Sequence, residues 1–194
     1  MSWSRITETP LGLAARSVYE SDQSRQYHNW AHVNRLYWHA RETFDLDYDP
    51  DLDLAILAHD VIYDAAPDKE RRSIAWLQDN SDTDIGGARA HILKTIEHRP
   101  SEDNRMIMLD LADFLYPDRA TQNLDKIKAE SQALYGVTTA QFLVANIAVM
   151  TGLYDRIGEG LPGDVPRAER TWLTKIRTGI QNNIAEAKRQ LASA

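Results

Sequence analysis

The sequence predicts an all-α protein, folded as a single domain (1–194) of about eight or nine helices. Three observations lead there. Apolar residues recur three and four apart along nearly every segment, and no stretch shows the alternation of a half-buried strand. Pro, Gly, Asn and Asp fall between these segments, where helices start and stop. The length of 194 residues and an apolar fraction of 43% suit one core of ordinary size.

Thr9-Pro10 opens a first helix ending near Ser21, because Pro is tolerated in a first helical turn. A polar link, 22–26, leads to Tyr27-His28. Asn29 is the N-cap expected for a second helix, with Trp30, Val33, Leu36 and Tyr37 as its apolar stripe. After Pro50 comes a third helix, 52–63, apolar almost all the way round, and such a helix belongs in a core. Beyond the loop 64–67, Asp68 is placed to cap a fourth helix containing Ile74, Trp76 and Leu77. A fifth runs over 84–98, weakened at its start by Gly86-Gly87 and stopped by Pro100. The sixth covers 102–116 and ends at Pro117. Gly136 closes a helix over 120–135, Gly158 closes one over 138–157, and 158–166 reads as a loop. The last helix, 167–191, is long and amphipathic; it could pair with a partner chain, as in a homo-oligomer, or lie on its own core.

Composition narrows the function. The net charge of −7 and the lack of a basic run argue against a duplex nucleic-acid surface, where Lys and Arg must neutralise phosphates. A small phosphorylated ligand stays compatible, since a metal can supply local positive charge. With no cysteine in the chain, any metal must be held by His and carboxylate. Residues 1–18 lack the apolar core of a signal peptide, and the apolar run 142–150 is too short to span a bilayer. A cytoplasmic location and no membrane partner are expected.

The chemistry concentrates in one conflict. His59 and Asp60 sit side by side at the end of the apolar third helix. Buried charges are normally paired or bound to metal, because an unpaired buried carboxylate is costly. His28 and His32 are four apart and would share one face of a helix; His32 falls inside the apolar stripe. Alone, His32 is equally well a hydrogen-bonded core residue. Together with His59-Asp60 it makes most of a metal site, lacking one downstream carboxylate. Asp113, flanked by apolar residues, is preferred for that place, and Asp110 is its rival.

The ordered set His32, His59, Asp60, Asp113 in a helical chain resembles the HD-domain metal-dependent phosphohydrolases. A narrower branch of predicted HD hydrolases is resembled by Arg25-Gln26-Tyr27-His28-Asn29-Trp30-Ala31-His32-Val33, His59-Asp60-Val61-Ile62-Tyr63-Asp64 and Thr95-Ile96-Glu97-His98. The branch's Asn-Glu-x-x-Ser segment is matched in part by Lys69-Glu70-Arg71-Arg72-Ser73, with Lys in place of Asn. Its Asp-Ala-Asp-Leu segment appears here as Asp110-Leu111-Ala112-Asp113-Phe114, and its Arg-x-Glu-Tyr as Lys128-Ala129-Glu130-Ser131. The motifs cover roughly 25–135.

The resemblance implies an HD-type helical bundle holding one divalent ion (Mn, Fe, Co, Ni, Zn or Mg) on His32, His59, Asp60 and Asp113. It implies hydrolysis of a phosphate ester or anhydride of a small molecule, plausibly a nucleotide, by metal-activated water. Asp60 would also orient that water. His28 and His98 would contact the phosphate or protonate the leaving oxygen. The alternative for His98 is a helix-terminal His facing the last carbonyls. Glu70 is a base, an acceptor behind the metal ligands, or an exposed helix acid. Arg25 and Lys128 are phosphate contacts or plain surface cations, and Trp30 is core or a stacking wall for a base. His39 and His91 are read as structural. A non-catalytic, metal-dependent nucleotide or phosphate sensor on the same fold is the alternative function.

Overall fold

Helices in this chain stop where the backbone finds a better partner than its own next turn, and those stops position the site. The computed structural model describes residues 3–161 and 163–193. Among the described residues are nine α-helices and no strand. They are α1 (Pro10–Ser21), α2 (Trp30–Trp38), α3 (Pro50–Ala58), α4 (Lys69–Asn80), α5 (Gly86–Glu97), α6 (Arg105–Asp110), α7 (Ala120–Tyr135), α8 (Thr139–Gly160) and α9 (Arg167–Ala192). No single described helix is long and apolar enough to cross a bilayer. By backbone proximity the chain divides into two compact units, Met1–Ile96 and Glu97–Ala194.

The first unit is built on α3. All residues from Leu52 to Ala58 are buried, and α1, α2 and α4 pack against the helix. Asp49 starts it by accepting the N–H groups of Asp51 and Leu52 at 2.9 and 3.3 Å. Two buried tyrosines tie it laterally: Tyr19 donates to the Leu57 carbonyl and Tyr37 to that of Asp53, each at 3.2 Å. The expected N-cap of α2 is present, with Asn29 Oδ1 accepting from Ala31 and His32 at 3.0 and 3.3 Å. The Gly86-Gly87 pair is explained by close approach. A Cβ on Gly87 would lie 2.2 Å from the Asp51 carboxylate, which would have to turn aside to admit any other residue.

Several boundaries differ from those expected. The third helix ends at Ala58 rather than running to residue 63, because Arg25 and Ser73 take over the backbone groups beyond it. Asp68 precedes α4 in a left-handed conformation (φ 58°) and forms no side-chain cap. The sixth helix breaks after Asp110 into a 3₁₀ turn, Ala112–Leu115. In that second unit α9 lies against the turn, and a Cβ on Gly179 would sit 1.8 Å from the Phe114 carbonyl oxygen. Helix α8 continues past Gly158, whose bare Cα accommodates the Arg177 guanidinium while Arg177 Nε donates to the Tyr154 carbonyl at 3.0 Å. Leu124, Phe142, Leu143 and Ala187 form a shared core of α7, α8 and α9.

Two measurements test this packing. Gly179→Ala drives a methyl into a backbone oxygen and should lower unfolding free energy by about 3 kcal/mol in urea titration. Asp53 is buried in α3, and desolvation raises its pKa to about 6 despite hydrogen bonds from Tyr37 and Tyr48. The native state therefore holds a proton that the unfolded chain has lost above about pH 4. Stability should fall as pH rises from about 4 to 6, by about 3 kcal/mol. In Asp53→Asn that fall is absent, and the melting temperature at pH 7.5 exceeds that of the parent protein.

Candidate metal centre

The site begins where α3 stops. Past Ala58 the chain turns, and its polar backbone groups would be orphaned in the core without side-chain partners. Arg25, itself buried, donates both terminal nitrogens to the carbonyls of Asp60 and Val61 at 3.0 Å each. Ser73 on α4 accepts the Ile62 N–H at 3.0 Å. The His59-Asp60 pair is thus held by side chains on the turn that follows it and by the last helical bond, His59 N–H to the Ala55 carbonyl, before it. Asn29 fixes the start of α2 and so the direction of His32 in its first turn.

His32 and His59 are each 1% exposed and Asp60 is 7% exposed. His59 Nδ1 lies 3.1 Å from the Ile56 carbonyl, an acceptor, so the proton sits on Nδ1 and Nε2 presents its lone pair. That Nε2 is 3.2 Å from Asp60 Oδ2 and 3.3 Å from His32 Nε2. One ligand atom from each of these three residues lies within 4.8 Å of the others. Burial pushes the Asp60 carboxyl up. With His59 protonated on Nε2 as well, its charge and hydrogen bond, with His28 and Lys69 behind them, outweigh it and hold the carboxyl below its usual range; with Nε2 bare, a cation on that lone pair would take their place. Asp60 is therefore an anion at neutral pH. Two imidazoles and an ionised carboxylate converging in a dry pocket fit a divalent transition metal. This buried trio could hold a metal ion.

His32 adds a condition. Arg35 Nη2 lies 3.3 Å from His32 Nδ1, and a guanidinium can only donate. In this arrangement Nδ1 keeps its lone pair and the proton is on Nε2, directed at His59 Nε2. A cation on His32 Nε2 would require the proton to move to Nδ1 and Arg35 to swing away, towards the Tyr27 face that it already approaches at 5.2 Å. Arg35 escaped the sequence reading, although its position one turn after His32 places both on one face.

The remaining sequence candidates lie as follows. His28 precedes the Asn29 cap and so does not share a helical face with His32; its ring is edge-on to His32 at 5.7 Å and stacked on Tyr63 at 4.1 Å. Arg25 spends its fork on backbone carbonyls instead of offering it to a ligand. Trp30 packs on Tyr19 at 6.0 Å under Arg16, in the wall of a groove formed with Asn29 and Asn34. Glu70 is half-buried in the first turn of α4. Buried His39 pairs with Thr43 at 3.0 Å, and His91 is buried on α5. In the second unit, His98 adopts φ 51° after α5 and pairs with Asp110 at 2.7 Å. Asp113 is buried in the 3₁₀ turn, and Lys128 on α7 pairs with Asp125 at 2.6 Å.

Comparison with protein-family models, curated proteins and solved structures finds no match to this chain. The site accordingly stands on its own geometry.

Arg35→Leu removes the donor that locks the His32 tautomer. Its affinity for Mn or Zn, read by calorimetry, should rise about ten-fold, the scale of groups that orient metal ligands. Unchanged affinity would show that Arg35 moves freely.

Proposed function

We propose that the protein is a metal-dependent phosphohydrolase, cleaving a phosphate ester or anhydride of a small molecule, plausibly a nucleotide. The observation that carries this reading is the buried trio His32, His59 and Asp60, its carboxylate held ionised at the end of an apolar helix. The order of motifs and their likeness to HD-domain enzymes support the same reading.

His32, His59 and Asp60 would hold the ion, with the fourth carboxylate that the sequence calls for drawn from Asp113 or Asp110. A bound divalent cation supplies Lewis acidity at a phosphoryl oxygen and at the attacking water. The chain's own residues do the rest. Asp60 is ionised and so accepts a hydrogen bond from incoming water, orienting it. His59 stays in one tautomer through its bond to Ile56. His28, held against Tyr63, presents a titratable ring beside the donors and is the first choice for protonating a leaving oxygen. Arg25 acts as a positioning residue through the Asp60 and Val61 carbonyls.

One observation favours a second reading. The Arg35–His32–His59 chain of hydrogen bonds satisfies both rings without any cation, as a purely structural pair would.

Metal analysis of protein purified without chelator, alongside Asp60→Ala, separates the two. The phosphohydrolase predicts near one equivalent of metal in the parent and loss in the variant. It also predicts product release from a nucleotide panel with Mn, Co, Ni or Mg. Metal content in Asp110→Ala and Asp113→Ala assigns the fourth ligand. A melting temperature indifferent to chelator, with no metal in either protein, supports the structural pair.

A further inference from the structure

Beside the donors lies a column of groups to which the reading above gives no joint task. The His28 ring stacks on Tyr63 at 4.1 Å and 20°, and the Lys69 ammonium sits 3.8 Å above the Tyr63 ring. Tyr63 itself is buried and lies three residues beyond Asp60, on the turn that Arg25 clamps.

Three features set Lys69 apart from an ordinary surface lysine. It is half-buried, and among the described residues its ammonium forms no salt bridge. It is the first residue of α4, at the positive end of a helix dipole, where a cation is disfavoured and an anion preferred. Helix α4 also begins without a side-chain cap, since Asp68 is left-handed there. Finally, the segment leading to Lys69 is pinned. Arg72 grips the Asp64 carboxylate with Nη1 at 2.9 Å and also donates to the carbonyls of Pro67 and Ala66. A lysine is thus held in place where helix electrostatics oppose it, next to ligands suited to a cation.

We propose that Lys69, held over Tyr63, is the residue that binds the phosphoryl group of the substrate and selects dianionic phosphate monoesters or terminal phosphates over monoanionic diesters. This rests on the phosphohydrolase reading of the neighbouring trio. The geometry explains the three features together. A phosphoryl group beside the metal ligands would give Lys69 a counter-charge in addition to the Asp60 carboxylate that it already attracts, and it restores a favourable charge at the start of α4. Tyr63 holds the ammonium by its ring face and leaves its hydrogens free to donate. His28 stacks on the same ring. A second positive charge beside a divalent ion favours a dianion over a monoanion by simple Coulomb attraction.

The test uses the full chain supplemented with Mn at pH 8, with inorganic phosphate and dimethyl phosphate as probes in calorimetry. The parent should bind inorganic phosphate more tightly than dimethyl phosphate. Lys69→Gln should weaken inorganic phosphate about ten-fold, the scale of one charge-assisted contact, with metal content and melting temperature unchanged. Lys69→Arg should keep affinity within about three-fold, since the charge remains. Inorganic phosphate affinity unaltered in Lys69→Gln, or no phosphate binding by the parent, overturns the proposal. Turnover is scored separately. Lys69-dependent binding without hydrolysis removes the enzyme reading and keeps the anion site. Hydrolysis with Lys69-independent binding does the reverse.

Discussion

The rest of the first unit depends on carrying a carboxylate into a dry core and keeping it ionised there. Helix α3 is buried from Leu52 to Ala58, so whatever follows it emerges inside the protein. Desolvation alone would protonate Asp60, and the adjoining His59 reverses that. Once an anion is fixed at this spot, the surroundings have to be cationic or hydrogen-bonding. His28 and Lys69, both against Tyr63, meet that demand for the carboxylate, and Arg25 meets it for the backbone carbonyls of the turn. In a chain of net charge −7, such gathering of positive groups around one acid is a local arrangement and not a property of composition.

The same constraint shapes the backbone. Continuing α3 through residue 63 would have satisfied the backbone internally but pointed the adjacent His59 and Asp60 about 100° apart around the helix. Ending it at Ala58 leaves carbonyls and an N–H to be met by side chains, and Arg25 and Ser73 meet them. Two residues that the motif comparison treats as markers therefore have mechanical tasks. Their interest lies in holding His59 and Asp60 still, which matters because ligands misplaced by about 1 Å lose most of their worth.

Much of this was legible in advance, and the misses have common causes. The all-α class, the Asn29 cap and the paired burial of His32 with His59-Asp60 follow from periodicity and capping chemistry, which act over a few residues. The third and sixth helices were drawn too long because apolar pattern continues past the point where long-range partners interrupt the helix. Asp68 looked like a cap by residue type alone, yet its backbone is left-handed. Gly86-Gly87 reads as a weak helix start, and Gly87 is a close-contact site beside Asp51.

By itself the sequence determined the helical class, the confinement of every histidine to positions 28–98, and the residue types able to hold a metal without thiolates. Each of these depends on local spacing or on what is absent from the chain. Only the tertiary structure decided that Arg35 reaches His32, that Arg25 supports the turn instead of a ligand, and that Lys69 is pinned over Tyr63. Those facts depend on where separate helices meet, and a side chain's task is set by the partner that folding brings to it.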